Sequence, residues 1–142
     1  MTTELLAPAG GQEALVAAVQ SGADAVYMGF GAFNARRSAR NFSDEEFRAA
    51  VSYCHLRGVK VYLTLNTLVT DRELPALAAE ARTASECGVD AILVQDWGVL
   101  ATLQKIIPDV PLHASTQMTI HTLDGARHAR DIGFSRVCLL YT

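Results

Sequence analysis

The sequence predicts an α/β fold in which βα units alternate around a parallel sheet, and three observations carry that reading. The first is Ala91-Ile92-Leu93-Val94, apolar at every position and followed at once by Gln95 and Asp96. A strand with one wet face alternates polar and apolar residues, whereas a continuous apolar run of this length fits a parallel strand covered on both sides. The second is recurrence. Gly88-Val89-Asp90-Ala91-Ile92 is nearly copied by Gly22-Ala23-Asp24-Ala25-Val26, with further versions at Gly58-Val59-Lys60-Val61 and Gly133-Phe134-Ser135-Arg136-Val137. These glycines stand roughly one βα unit apart at unequal steps, so a structural module repeats rather than a strict solenoid. The third is that each apolar run is separated from the next by a helical pattern, and alternation of this kind forces a parallel sheet with right-handed crossovers.

Taken in order, Glu4 to Ala7 reads as a first strand, ended by Pro8-Ala9-Gly10-Gly11. Gln12 to Ser21 is helical, with Leu15, Ala18 and Val19 on one face, and stops at Gly22, a residue suited to the left-handed turn that ends helices. Ala25 to Met28 is the second strand. The connection from Gly29 to Phe42 is polar and long for a βα unit, and such loops are usually functional or disordered. Ser43 and Glu46 form a capping box ahead of a helix that places Phe47, Ala50, Val51 and Cys54 on one face. Val61 to Leu65 is the third strand, tipped by Asn66. A helix begins near Pro75, which suits a first turn, and buries Leu77, Ala81 and Ala84. After the fourth strand, Trp97 to Ile107 is a helix closed by Pro108, Leu112 to Thr116 a fifth strand, Leu123 to Ile132 a helix, and Arg136 to Leu140 a sixth strand.

Two closures fit this pattern. One is an open doubly wound sheet. The other is a partial (β/α)8 TIM-type barrel of about six strands, since a whole barrel runs to about 250 residues. Residues 1–142 are expected to form a single α/β domain. The chain ends on an apolar strand with no helix behind it, as the amino-terminal part of a larger barrel protein would.

Half of the residues are hydrophobic, enough for one sizeable core. The net charge of −3 gives no global basic field, so nucleic acid would need a local patch. No apolar run is long enough for a bilayer, and Met1-Thr2-Thr3-Glu4-Leu5 lacks the basic region of a signal peptide. Three widely spaced cysteines, Cys54, Cys87 and Cys138, suit a reduced, cytoplasmic protein better than a disulfide scaffold.

The chemistry-bearing residues gather at strand ends and in the loops that follow: Asn34, Arg36, Arg37, Arg40, Asn41, Asn66, Gln95, Asp96, His113, Ser115, Thr116 and Gln117. Parallel strands share a direction, so all are expected at one end of the sheet, where α/β folds place ligands. The bland alternative is that these groups cap helices and satisfy backbone amides. Arg36, Arg37 and Arg40 put three guanidinium groups in five residues, fit for a carboxylate or phosphate, though equally for a solvated loop. His113 and Ser115 alternate onto one strand face. Together with Asp96 they are the candidates for catalysis, but there is no Gly-x-Ser-x-Gly elbow, and close neighbours on a strand rarely form a nucleophile–base pair. Asn34, Arg36, Arg40, Asn41, Asn66, Gln95, Thr116 and Gln117 are the candidates for substrate binding. No His, Cys or carboxylate spacing matches a zinc site.

Several blocks also resemble the amino-terminal part of the collagenase-like peptidase U-32 family. They are Glu4-Leu5-Leu6-Ala7-Pro8-Ala9-Gly10, Gly22-Ala23-Asp24-Ala25-Val26-Tyr27, Phe33-Asn34-Ala35-Arg36 with Asn41-Phe42, Thr64-Leu65-Asn66-Thr67, Val94-Gln95-Asp96-Trp97-Gly98-Val99, and Leu112-His113-Ala114-Ser115-Thr116-Gln117-Met118. They follow the family's order and cover nearly the whole chain. The resemblance implies a (β/α)8-type barrel in a cytoplasmic bacterial protein. It implies either a peptidase or, as in several members, oxygen-independent hydroxylation of ribosomal RNA, transfer RNA or the ubiquinone ring with an iron–sulfur cluster. Hydroxylation of RNA in the full-length protein is the expected function; proteolysis and a non-catalytic binding domain are the alternatives. No cofactor is expected within this chain, because the family's cluster cysteines lie mostly downstream and none of Cys54, Cys87 or Cys138 falls in such a motif. RNA or a small anionic substrate, and a second copy of the chain joined at open sheet edges, are the expected partners. The tail from Val137 to Thr142 departs from the Arg-Glu pair expected there, as a truncated or altered terminus would.

Overall fold

A computed structural model of the protein describes residues 3–35 and 42–140. Six parallel strands form one sheet: β1 (Leu6–Pro8), β2 (Ala25–Met28), β3 (Lys60–Leu65), β4 (Ala91–Val94), β5 (Leu112–Ala114) and β6 (Arg136–Val137). Between them run α1 (Gln12–Gln20), α2 (Asp44–His55), α3 (Leu74–Cys87), α4 (Trp97–Ile106) and α5 (Leu123–Asp131). The strands lie in the order β1-β2-β3-β4-β5-β6. That order decides between the two closures. A doubly wound sheet needs a point where strand order reverses. Sequential right-handed crossovers instead keep every helix on one side, and the sheet curls into part of a (β/α)8 barrel.

The two faces of the sheet differ accordingly. Val26, Met28, Val61, Leu63, Leu65, Ile92 and Val94 point toward the helices and are at most 1% exposed. They pack with Leu15, Phe47, Val51, Cys54, Leu77 and Leu103 in the main core. Each such side chain contributes about 1.5–3 kcal/mol on burial. The inner face carries a second, smaller cluster of Ala25, Tyr62 and Ala91, with Tyr27 and Leu93 packed against it. The apolar run Ala91–Val94 is therefore covered on both sides, with Leu93 only partly buried on the inner face.

Local signals set the helix ends. Ser43 and Glu46 make the reciprocal capping box, Oγ accepting from the Glu46 amide and the Glu46 carboxylate from the Ser43 amide. Gly88 ends α3 with φ +84, the left-handed region that a β-carbon disfavours. Cys54 is wholly buried, as its place on the apolar face of α2 requires, and burial pushes its thiol up to about 11.

Four strands differ from their expected bounds, β3 by a single residue, since it begins at Lys60. β1 starts two residues later than the composition suggests, because Glu4 turns inward to a polar cluster. β5 stops at Ala114, since Ser115 caps a 3-10 turn over Thr116–Met118. β6 ends at Val137, and beyond it the Leu140 amide donates to the Ile120 carbonyl at 2.9 Å instead of extending the ladder.

Candidate functional site

The carboxyl ends of the strands surround a cavity of about 330 Å³. Its polar wall is made by Thr64 and Asn66 of the β3 end, Ser115, Thr116 and Gln117 after β5, and Tyr27 of β2. These positions follow from the pleat: residues two apart share a face, so Tyr62, Thr64 and Asn66 all turn inward, as do His113 and Ser115.

Asn66 is the hub. Its Oδ1 accepts the Ala35 amide at 3.1 Å, and its Nδ2 donates to Ser115 Oγ at 3.4 Å. Ser115 Oγ also accepts the Gln117 amide at 3.3 Å, and the Ser115 amide donates to the Val94 carbonyl at 2.9 Å. Thr64 Oγ1 donates to the Met28 carbonyl at 3.1 Å. The turn after Ser115 ends at Thr119 with φ +59, a conformation that is strained for a β-branched residue. No charged side chain is part of this cavity's wall among the described residues.

The sequence candidates divide into five groups. Asn66, Ser115, Thr116 and Gln117 are brought together in the wall. Gln95 and Asp96 lie outside it, and Asp96 accepts the Val99 amide at 2.9 Å as the N-cap of α4. Asn34 is wholly buried beneath Gly29 rather than facing the cavity; a β-carbon on Gly29 would stand 2.6 Å from Asn34 Cγ. Arg36, Arg40 and Asn41, with Arg37, lie outside the described residues.

His113 corrects the expectation that every polar strand end lies together. It is in the body of β5, paired with Leu93 and Arg136, and its ring faces the opposite, amino-terminal end. There it meets the Tyr62 ring edge-on, centroids 4.9 Å apart, beside a second hollow of about 290 Å³ shared with Lys60 and Arg136. Burial, with Arg136 nearby, lowers its pKa to about 4, so the ring is neutral near pH 7. No hydrogen bond joins His113 to Ser115 among the described residues, so the geometry of a nucleophile with its base is absent there.

Tyr27, Thr64 and Cys138 were not among the candidates, although all three line the cavity. The available signal was alternation in phase with Asn66 and Ser115. It is hidden because these strands are apolar on both faces.

A curled sheet of five βα units and a sixth strand, with a hydrogen-bonding pocket at its carboxyl end that is uncharged among the described residues, defines a protein of the TIM-barrel class. The profile of peptidase family U32 matches residues 10–140, and the chain belongs to that family. It is 41% identical to the 23S rRNA 5-hydroxycytidine C2501 synthase of Escherichia coli (strain K12), over 96% of this chain and 20% of that protein. It is 35% identical to a collagenase of Porphyromonas gingivalis (strain ATCC BAA-308 / W83), over 87% of this chain and 30% of that protein. Against tRNA hydroxylation protein P1 of Bacillus subtilis (strain 168) the identity is 33%, over 96% of this chain and 32% of that protein. The chain thus spans a third or less of these relatives. Among solved structures, the U32 peptidase Mk0906 superposes with a TM-score of 0.74 at 17% identity, over 97% of this chain and 58% of that one, which establishes the shared fold. No helix among the described residues is long and apolar enough to cross a membrane.

Proposed function

We propose that, within a full-length protein, this chain supplies part of the substrate site of an enzyme that hydroxylates RNA without molecular oxygen, the modified base entering the cavity at the carboxyl end of the sheet. The observation that carries this reading is the chemistry of the wall. Asn66, Ser115, Thr116 and Gln117 offer amides and hydroxyls, which match the donor and acceptor edge of a neutral heterocycle. A base reaches such a pocket by leaving its stack. The names of the rRNA and tRNA relatives agree with it. Arg36 and Arg40, with Asn41 beside them, are proposed to meet the phosphate backbone, through which RNA binding gains most of its affinity. The reaction would take place in the cytoplasm, where these RNAs are.

An iron–sulfur cluster would belong to other segments of the protein. Cys54 is buried in α2, Cys87 ends α3 and Cys138 follows β6. Among the described residues no group of three or more His, Cys, Asp or Glu could hold a metal ion. The cysteines of this chain do not fit a cluster, and no step assigned to it passes through one. The edges β1 and β6 are proposed to be covered by further strands of the same protein or by a second copy.

The test uses the full-length protein in cells lacking it, with RNA nucleosides measured by mass spectrometry. Asn66→Ala and Ser115→Ala are expected to lower the hydroxylated pyrimidine at least about tenfold, one lost hydrogen bond being worth roughly that factor in a closed site. Full modification by both variants removes the cavity from the reaction. Gelatin or casein cleavage that disappears with His113→Ala or Ser115→Ala would establish proteolysis instead.

A further inference from the structure

Glu80 projects from the middle of α3 against the first turn of the β2–α2 connection. Its Oε2 accepts the Ala32 amide at 3.2 Å, and the Phe33 amide also donates to this carboxyl group. Its Oε1 is buried with no hydrogen-bond partner among the described residues. Gly31, at φ +64, lies so close that a β-carbon there would overlap the carboxyl group. The segment held in this way leads directly into the cavity. Gly29 and Ala35 belong to its wall, Asn34 is packed beneath Gly29, and the Ala35 amide is bonded to Asn66. One stretch of chain is therefore gripped from the helix side by Glu80 and from the cavity side by Asn66.

Burial of Glu80 disfavours its charge by more than the hydrogen bonds from the Ala32 and Phe33 amides favour it. From α2 the charged group that acts on it is Asp44, of like sign, while Arg48 of the same helix turns toward Glu86 at 4.0 Å. With an unpartnered oxygen and no cation beside it among the described residues, the buried carboxylate costs more than the neutral acid.

We propose that Glu80 is a positioning residue for the cavity: as the neutral acid it latches the 29–35 segment in place, and its ionisation loosens that segment and, through Ala35, the side chain of Asn66. This rests on the cavity being the functional site. The sign follows from linkage. In the latched state burial raises the Glu80 pKa to about 7, and in an open loop the carboxyl returns toward 4.5. Ionisation therefore favours the open form, and the latch weakens as pH rises through about 7.

The test is an amide and side-chain NMR titration of the chain between pH 5.5 and pH 8.5, with hydrogen exchange, on wild type and Glu80→Gln. The expected result is that Ala32, Phe33 and Ala35 amides and the Asn66 side-chain amide move with a common midpoint near 7 in wild type. Their exchange, corrected for its intrinsic pH dependence, should quicken by roughly tenfold or more between pH 5.5 and that midpoint and level off above it. Glu80→Gln, which keeps the shape of the neutral acid, should stay protected throughout and show no midpoint. Glu80→Ala should be unprotected at every pH; if it fails to fold, the Gln comparison decides. A wild-type Asn66 signal that ignores the titration, or a Gln variant that responds like wild type, overturns the proposal. Because no RNA is used, these outcomes are independent of whether RNA is the substrate.

Discussion

Glu4 and Arg136 lie at opposite ends of the chain, yet their side chains meet at 2.5 Å, Oε1 to Nη1, across the inner face of the sheet. Lys60 Nζ approaches the other Glu4 oxygen at 3.6 Å, and the Tyr62 hydroxyl donates to the same carboxylate at 2.9 Å. A residue two positions ahead of the first strand is thereby tied to the last strand. The Arg136 hydrogen bond, with help from Tyr62 and Lys60, lowers the Glu4 pKa to about 2.

Glu4→Gln should lose stability at neutral pH. The folded pKa lies below the unfolded value of 4.5, so the contribution is fully present above 4.5 and disappears as pH falls through about 2. The cluster is partly open to solvent, so a loss of about 1–2 kcal/mol is expected, measured as the difference between wild-type and variant denaturation midpoints at pH 7 and at pH 2.5.

His113 acts in a different window. Its folded pKa of about 4 is below the ordinary 6.5, so the neutral ring stabilises the fold above pH 6.5, and that contribution drains away as pH falls toward 4. His113→Gln should flatten the stability profile between those values by about 2 kcal/mol. Activity of the full-length protein should show no ionisation attributable to His113 between pH 5.5 and pH 8. A limb near 6.5 that vanishes in the variant would restore His113 as a catalytic base.

Asp96 separates capping from chemistry. Asp96→Ala should cost about 1 kcal/mol through the lost bond to the Val99 amide, and Asp96→Asn only a few tenths. RNA modification at wild-type level by the Asn variant is the expected result. Loss of modification in a fully stable Asn variant would place the carboxylate in the reaction.

Thr119 is held at positive φ beside the cavity. Thr119→Gly should gain about 1 kcal/mol by relieving that conformation, less the greater flexibility of the unfolded glycine chain. Thermal melts measure the balance. Lower RNA modification in a variant of higher stability would show that the strain serves the site.

Much of this was legible in the sequence, for physical reasons that differ from residue to residue. Ala91–Val94 and Ala25–Met28 coincide with observed strands because a doubly covered strand leaves an unbroken apolar run bounded by turn residues. Ser43 and Glu46 fixed a helix start because capping is a local interaction over three residues. The barrel-like curl was not visible in any single element. It lies in the order of strand pairing, which periodicity does not encode. His113 was misplaced because a three-residue strand gives little clue to depth, and the ring of an inward residue in its middle can reach toward either end; here it reaches the amino-terminal one. Asn66 and Ser115 were legible as strand ends, but their contact depends on neighbouring strands aligning at their tips. Glu80 carried no sequence signal at all. A glutamate on a helix normally faces water, and only the left-handed turn at Gly31 brings a backbone close enough to cover it.

The strictly sequential order of the sheet also bears on how the chain is made. Every ladder joins a strand to the one synthesised immediately before it, so each pairing closes a short loop and carries a small entropic cost. A chain emerging from the ribosome can add βα units to a growing edge without waiting for distant segments. The tie between Glu4 and Arg136 is the exception, since one partner is made at the very start and the other near the end. It should be the last contact to form, so Arg136→Ala should speed unfolding and leave the folding rate nearly unchanged; a slowed folding rate would show otherwise.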